Sequence, residues 1–490
     1  MSIKKYRFVF VLWVLLSACS SGPDFKTPAS PEETAFTAND EAVPLNQRVV
    51  LGKQIETDWW TLFASEPLTG LIHQAVKSNY ALTSARETLA QAAEAVKAES
   101  GSQLPQVSLD AAAGRQKYGV ALFGPSNFSI PPFSYYQAGT SISWSPDLFG
   151  GARRAIERKQ ALANYQVHEI DAIYIALTGD TASAALEIAS ANAEIAAVNS
   201  MIAEDRKSLA LVQESYAAGA ATKVDVLGMK IQLNIDQAML PPLEQRLSVS
   251  RHALSIYLGK APADWTPPNI EFNNLRLPDR IPVSFPSDLV KRRPDILAAE
   301  ANLHAASAAI GVAAANQYPK LTLTANMMQE ALTPAGIFSA AGNAWSLASG
   351  LTAPIFDGGK LTAEKREAEH AYQSSLAQYQ QTIVVAFKQV ADALTSLAHE
   401  DEAVAIRNTT LDDAKISLDL MRASYQAGAV GLLPVQNAQH ALAKAQLDIV
   451  QARQQRYLDC VRLFVALGGS PIAKNNPELA GMEGLVHSAE

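Results

Sequence analysis

The clearest pattern in the chain lies between residues 360 and 427, a stretch of 68 residues without a glycine or a proline. Its apolar side chains recur every seven positions. These positions are Ile383, Val390, Leu397, Val404, Leu411, Leu418 and Tyr425. A strict heptad predicts a helix that winds left-handedly around a neighbour, and at about 1.5 Å per residue this helix would be about 100 Å long. The companion positions become polar from Asp401 onward, so most of the helix surface is expected to face water.

A second pattern, with a period of two, predicts β-strands in four short stretches. In the first stretch, apolar residues from Val107 to Ala113 alternate with polar or small ones. The predicted strands cover approximately residues 104–116, 136–146, 318–329 and 344–354. Strands of about 10 residues are long enough to cross a membrane when tilted.

Four strands are too few to close a barrel, and open sheet edges are not stable in lipid. The pattern therefore leaves two possibilities. The strands form a membrane barrel together with other copies of the chain, or they form a four-stranded sheet that caps the helices outside the membrane.

Both patterns occur twice, which indicates an internal tandem duplication. The segment SYAAGA at 215–220 returns as SYQAGA at 424–429, 209 residues later. When the heptad is shifted back by 209 residues, six of its seven positions remain apolar. Each unit is predicted as helix, strand, loop, strand, very long helix, tight turn and helix. The predicted boundaries are 59–262 for the first repeat, 263–288 for a proline-rich linker, 289–471 for the second repeat and 472–490 for a C-terminal tail.

The N-terminus has the pattern of a bacterial lipoprotein signal. A basic start is followed by nine apolar residues, too few to span a bilayer but suitable for a signal-peptide core. The sequence LSAC at 16–19 then resembles a lipobox, which predicts that residues 1–18 are removed and that Cys19 carries the lipid. The alternative is an ordinary signal peptide with a chance cysteine. Residues 19–58, rich in Ser, Thr, Pro and Glu, are predicted to form an extended tether.

Composition and charge argue against several classes of function. The formal net charge of −8 does not favour a general nucleic-acid surface. None of the histidines lies in a clear His-x-x-x-His or Glu-His metal-binding pattern. The sequence also contains no glycine-rich phosphate loop, no Gly-x-Ser-x-Gly motif and no cysteine pair. We therefore predict no catalysis, no metal and no cofactor. Cys460 is predicted to be a buried structural thiol.

Several motifs in the second half are more specific. They are Arg292-Arg293-Pro294-Asp295, Ile310-Gly311-Val312-Ala313, Pro319-x-Leu321-Thr322-Leu323 and Pro354-Ile355-Phe356-Asp357-Gly358-Gly359. With these motifs the chain resembles the outer membrane factors of the TolC superfamily, in particular the lipoprotein efflux branch of OprM and NodT type. The resemblance covers roughly residues 59–471. The charges in the first motif are interpreted as structural, because Pro294 suits the first turn of a helix.

The resemblance implies a homotrimer in the outer membrane. Its twelve-stranded β-barrel, with four strands from each chain, would continue into an α-helical coiled-coil tunnel in the periplasm. It also implies a passive exit duct for drugs or other small toxic compounds, anchored in outer membrane lipid and docked to a periplasmic adaptor protein and an inner-membrane pump. Two alternatives remain: the duct of a type I protein secretion system, and a non-conducting trimeric lipoprotein that braces the envelope.

The periplasmic tip is predicted where the long helices reverse. Gly219 and Gly428 stand there, and glycine suits a helix end that needs a positive φ. The candidate gate residues follow them: Asp225 in the first repeat, and Leu433, Pro434 and Asn437 in the second. In similar ducts this segment contributes an acidic constriction, which Asp225 fits, whereas Asn437 is neutral where relatives often carry an acid. The alternative for Asp225 is a helix N-cap.

Overall fold

The computed structural model of the chain describes residues 21–29, 35–37, 49–52, 58–117, 131–277 and 280–468. The predicted signal peptide, the lipidation site Cys19 and the predicted C-terminal tail lie outside these residues and stay predictions. Within the described ranges the protein is mostly helical, with one four-stranded and one two-stranded sheet. The predicted mainly helical fold with four strands is confirmed, and the small second sheet was not predicted.

The elements follow the duplicated order. In the first half they are β1 (Val49–Leu51), α1 (Glu66–Ser78), α2 (Tyr80–Ser102), β2 (Gln106–Gln116), β3 (Phe133–Trp144), α3 (Gly151–Ala217), α4 (Lys223–Gln237) and α5 (Leu240–Tyr257). In the second half they are β4 (Ile281–Val283), α6 (Pro286–Val290), α7 (Pro294–Ala315), β5 (Lys320–Ala331), β6 (Asn343–Thr352), α8 (Lys360–Gln426) and α9 (Leu432–Ala466). Each half therefore has a strand pair followed by one very long helix.

The long helices α3 and α8 each contain 67 residues, which corresponds to about 100 Å. The heptad positions of α8 are buried from Ile383 to Val404 and again at Leu418, whereas Tyr425 is 46% exposed at the end of the helix. The predicted apolar seam is thus present over most of the helix and opens at its last turn.

The helices that return from the two reversals differ. In the second half, α9 is continuous over 35 residues. In the first half the returning helix is interrupted between α4 and α5, where Pro241 and Pro242 stand at the start of α5. Proline has no backbone N–H and clashes with the preceding turn, so it cannot continue a helix. The predicted single returning helix of the first repeat is wrong in this respect.

The four long strands form one antiparallel sheet in the order β2-β3-β5-β6. Prolines border all four strands at the end that adjoins the helices: Pro105 and Pro319 directly precede β2 and β5, and Pro146 and Pro354 follow β3 and β6. Because proline donates no backbone hydrogen bond, the ladder stops near these positions. For this reason β2 and β5 begin two residues after the predicted starts, and β3 and β6 end two residues before the predicted ends.

The main hydrophobic core surrounds the middle of the long helices. Its aromatic centre consists of Trp59, Trp60, Phe63 and Phe464, each at most 2% exposed. The rings of Trp59 and Phe464 lie 5.3 Å apart. Toward the reversals, only small clusters of buried side chains join α8 to α9. The core therefore holds the base of each helical hairpin and leaves the tips lightly packed.

Within the described ranges, α7 is the one helix that is long and apolar enough to cross a membrane. It packs between α3 and α8, and 44% of its most apolar window is buried. Ile296 and Leu303 on this helix are fully buried. Packing in the protein core accounts for its apolar composition.

Candidate functional site: a two-faced sheet and a helical tip

The four-stranded sheet has an apolar face. Directly paired residues of antiparallel strands share a face, and the register pairs Val107 with Ile142 and Met327 with Trp345. All the large apolar residues that these strands expose lie on this face. They are Val107, Leu109, Ile142, Trp144, Met327, Trp345, Leu347 and Leu351. A continuous exposed apolar face is typical of a surface that contacts lipid or another protein.

The opposite face carries polar side chains that bond across the strands. Ser141 on β3 donates a hydrogen bond from Oγ to Oδ2 of Asp110 on β2 at 2.8 Å. Asn326 on β5 donates from Nδ2 to Oγ of Ser346 on β6 at 3.3 Å. Serine, threonine and amide groups of this kind are well solvated by water, so this face can line an aqueous passage while the other contacts lipid.

Both long helices reverse at a glycine with positive φ. The angle is 75° at Gly219 and 72° at Gly428, and no atom lies within 4 Å of a Cβ built at either position. Glycine is therefore required by backbone conformation and not by crowding. Each reversal places the start of α4 or α9 at the end of the molecule opposite the sheet, about 100 Å away.

In the first reversal, Asp225 belongs to a capping box at the start of α4. Oγ1 of Thr222 accepts a hydrogen bond from the backbone N–H of Asp225 at 3.2 Å. In return, Oδ2 of Asp225 accepts hydrogen bonds from the hydroxyl and the backbone N–H of Thr222, both at 2.7 Å. These bonds hold the pKa of Asp225 below its usual value, so the tip carries a charged carboxylate. The N-cap is Thr222, and the interpretation of Asp225 as the N-cap itself is wrong.

The second reversal has no such cap. Gly431 precedes α9 and supplies no side-chain hydrogen bond to its N-terminus. Leu433, Pro434 and Asn437 are exposed in the first two turns of α9, while Val435 packs in a small cluster against α8. The candidate gate residues therefore lie on solvent-facing positions of the tip, and their role in a gate stays a prediction.

A polar cluster that the sequence did not suggest lies between the two helical hairpins. Asp205 on α3, Asp236 on α4 and His440 on α9 meet there, and Nδ1 of His440 is 3.6 Å from Oδ2 of Asp236. Asp236 is only 1% exposed, and its carboxylate accepts a hydrogen bond from Nε2 of Gln232 at 3.2 Å. Burial, together with the hydrogen bond and charge of Asp236, raises the pKa of Asp205 to about 7. These residues are far apart in the sequence, so no local sequence pattern predicts the cluster.

The Arg-Arg-Pro-Asp motif forms a structural junction. Arg293 is 7% exposed and donates from Nε to Oδ1 of Asp295 at 2.8 Å. It also donates from Nη1 to the backbone carbonyl of Ala466 at 2.8 Å, and from Nη2 to the side chain of Gln389. One guanidinium thus connects the start of α7 with α8 and with the end of α9. Pro294 is the first residue of α7, as expected.

The described part of the chain contains no group of three or more His, Cys, Asp or Glu side chains arranged to hold a metal ion. Cys460 is fully buried and forms no disulfide. Burial raises the pKa of its thiol, which keeps the sulfur protonated and unreactive. The prediction of a buried structural thiol is confirmed.

A family model described as "Outer membrane efflux protein" matches the chain over residues 71–260 and 285–469, one stretch for each half of the structure. The outer membrane protein OprJ of Pseudomonas aeruginosa is 30% identical over 464 residues, with 93% of each chain covered. The pyoverdine export outer membrane protein OpmQ of the same species is 30% identical over 480 residues, which cover 96% of this chain and 97% of that one.

Among solved structures, the outer membrane channel CmeC of Campylobacter jejuni superposes with a TM-score of 0.84. The match covers 96% of this chain and 98% of that chain, at 18% sequence identity. At this identity the likeness establishes the fold: long helices that continue from a small set of strands.

Proposed function

The chain belongs to the outer membrane efflux protein family, and from this premise we propose how its sheet and its helical tip work as a duct. The protein is the outer membrane channel component of an efflux system and provides a passive exit for small compounds. The observation that carries this proposal is the sheet with one apolar and one polar face, placed at one end of helices about 100 Å long. The family match and the similar relatives confirm the resemblance to the TolC superfamily.

The sheet requires other copies of the chain in order to exist in lipid. Its edge strands β2 and β6 have no partner on their outer sides within the described part of one chain, and unpaired backbone groups are not stable in hydrocarbon. In an antiparallel sheet of four strands, β6 runs opposite to β2. The β6 strand of one copy can therefore pair with β2 of the next and continue the antiparallel order. Three copies, the number implied by the family resemblance, would give a closed barrel of twelve strands.

The two faces then have separate roles. The apolar face with Leu109 and Leu347 contacts the lipid, and the polar face with Asp110 and Asn326 lines the passage. The long helices extend the passage away from the membrane into the periplasm. Movement through such a duct is passive, because the energy comes from a pump and not from the duct itself.

The partners proposed for this energy supply are an inner-membrane pump and a periplasmic adaptor protein that docks at the tip. The tip is suited to docking because it is exposed and lightly packed. The anchor proposed for the N-terminus is lipid on Cys19. Pyoverdine is the compound named for the relative OpmQ, and we propose small organic compounds as the substrate class of this chain.

Co-expression in a strain that lacks its own outer membrane efflux channels tests the function. We expect the protein, together with an adaptor and a pump from the same organism, to raise the minimum inhibitory concentration of several small toxic compounds. A strain with the adaptor and pump alone is the control. Export of a protein substrate, without any change in resistance, would support the type I secretion alternative. No export of any kind, with a correctly assembled protein, would support the bracing lipoprotein.

A further inference from the structure

A short N-terminal segment is bound to the sheet end of the helices. We call residues 21–29 the strap. They follow the predicted lipidation site closely in the chain, and they contact the first turns of α3. Along α7 they run from Gly311, near the end of this helix, back to Glu300 in its second turn. The start of α3 and the end of α7 adjoin the four-stranded sheet, because α3 follows β3 and β5 follows α7.

Arg154 on α3 is the main polar contact of the strap. Its side chain is almost fully buried, at 7% exposed, which is unusual for an arginine. The guanidinium donates from Nε to the backbone carbonyl of Ser21 at 3.2 Å and from Nη2 to Oδ1 of Asp24 at 2.6 Å. Its third contact is Oε2 of Glu157, at 2.7 Å from Nη1. A buried guanidinium is stable only when its donors are satisfied, and the strap supplies two of these acceptors.

The strap also contacts α7. The ring of Phe25 stacks on His304 with 4.4 Å between centroids and an interplanar angle of 11°. Nε2 of His304 lies 2.9 Å from Oε1 of Glu157, so the stacked imidazole belongs to the same polar network as Arg154. Two residues further along, Oγ1 of Thr27 donates to Oε1 of Glu300 at 2.7 Å.

Two glycines allow the backbones to approach. Gly22 has a φ of 87°, and a Cβ added there would lie 2.4 Å from Cα of Gly311 on α7. A Cβ added at Gly311 would lie 2.8 Å from the backbone oxygen of Ser21. The backbone N–H of Ser21 donates to the carbonyl of Phe149, just before α3, at 3.1 Å. The surface is therefore shaped for this segment through main-chain contacts as well as side chains.

We propose that Arg154, Glu157, His304 and Gly311 form a docking site for the strap, which fixes the lipid-bearing N-terminus beside the membrane sheet. Only Ser20 lies between Cys19 and Ser21, and the two residue steps that join them span at most about 7 Å. A free tether of 40 residues would instead have a root-mean-square span of about 35 Å. Docking thus keeps the acyl chains and the sheet at the same level, so that both enter the membrane together. This inference rests on the lipidation proposed above.

Disulfide cross-linking in the intact envelope tests whether the strap is docked. The pair Thr27→Cys with Glu300→Cys should form a cross-link in most chains when an oxidant such as copper phenanthroline is added. The pair Thr27→Cys with Ala220→Cys is the control, because Ala220 lies at the other end of α3, about 100 Å away. Equal cross-linking of the two pairs, or none in the first, would overturn the proposal.

Proteolysis measures the docking in the chain without added cysteines. Trypsin can cut after Lys26 and separate the anchor from the rest of the protein. We expect Gly22→Ala to speed this cut at least tenfold, because the substitution combines a positive φ with a contact of 2.4 Å. Gly70→Ala on α1, where the added Cβ meets nothing within 4 Å, should leave the rate unchanged. The cutting rate at Lys207 on α3 serves as the internal check that the rest of the fold is intact.

Intact-mass analysis of the same samples separates the two parts of the inference. Acylated Cys19 with slow cleavage at Lys26 supports both. A full cross-link on a chain whose N-terminus carries no lipid would overturn the anchor and leave the docking site in place. An acylated chain with rapid cleavage at Lys26 and no cross-link would overturn the docking and leave the lipidation in place.

Discussion

Arg293 joins three helices through one guanidinium, and its neighbour Arg292 is an exposed residue of the same type. Replacing Arg293 by methionine would leave the buried carbonyl of Ala466 without its donor and would remove the bond to the exposed side chain of Gln389. We expect Arg293→Met to lower the free energy of unfolding by about 2–4 kcal/mol. Arg292→Met should change it by less than about 0.5 kcal/mol. Denaturant unfolding in detergent measures both, and similar values for the two variants would contradict the junction role.

Asp205 makes the stability of the contact between the two helical hairpins depend on pH. It keeps its proton up to about pH 7 in the folded protein, compared with about 3.8 for an ordinary aspartate. The folded state therefore binds more protons than the unfolded state between these values, and stability falls as the pH rises through this window. We expect Asp205→Asn to remove this fall and to raise the melting temperature at pH 8 more than at pH 5. The exposed Asp419→Asn is the control, and an equal shift at both pH values would argue against the cluster.

Asp225 and Asn437 determine the charge that we predict at the tip. Asp225 carries a carboxylate there, and in an assembly of three copies three such charges would surround one axis, where they attract cations. We expect Asp225→Asn to lower cation selectivity, and Asn437→Asp to raise it and to strengthen block by divalent cations. Reversal potentials in a salt gradient across planar bilayers measure this. If both variants keep the wild-type potential, neither residue lines the constriction, and Asp225 acts only in the capping box.

Helices, strands and turns could be predicted from the sequence where the pattern that specifies them lies within one short segment. The heptad in α8, the alternation in β2 and the glycines at the reversals each involve residues near one another in the chain. The break between α4 and α5 also had a local signal, Pro241-Pro242. By contrast, the pairing of β1 with β4 and the contact of Asp236 with His440 join distant segments. Such contacts depend on the packed structure, and no period within one segment encodes them.

The sheet offers a test in two adjacent residues. Leu109 is 79% exposed on the apolar face, and its neighbour Ser108 points to the polar face. We expect Leu109→Arg to reduce the amount of assembled protein in the outer membrane, because arginine on a lipid face costs about 2–4 kcal/mol near the bilayer centre. Ser108→Arg should assemble normally. Membrane fractionation and heat-modifiable mobility on gels measure the two variants, and equal assembly would contradict the assignment of faces.

For the molecule as a whole, the unpaired edges of the sheet predict obligatory association. We expect light scattering with detergent subtracted to give three chains per particle, because β6 of each copy needs β2 of another. A stable monomer that still inserts into membranes would contradict this, and so would failure to form channels in planar bilayers. Strand alternation alone left a shared membrane barrel and a separate four-stranded sheet as alternatives, and both the shared barrel and the number three were implied by the family resemblance.

The equal length of α3 and α8 limits which insertions or deletions can change the length of the helical hairpins. Both hairpins must end at the same depth if their tips are to form one opening, and both are built on a seven-residue repeat. Inserting one heptad into a single long helix would displace one tip by about 10 Å relative to the other. To fit a deeper or shallower periplasm, the protein must therefore gain or lose whole heptads. The same number must change in the outgoing and returning helices of both halves. Because the chain is duplicated, the length of the duct can change only in steps of seven residues that both halves share.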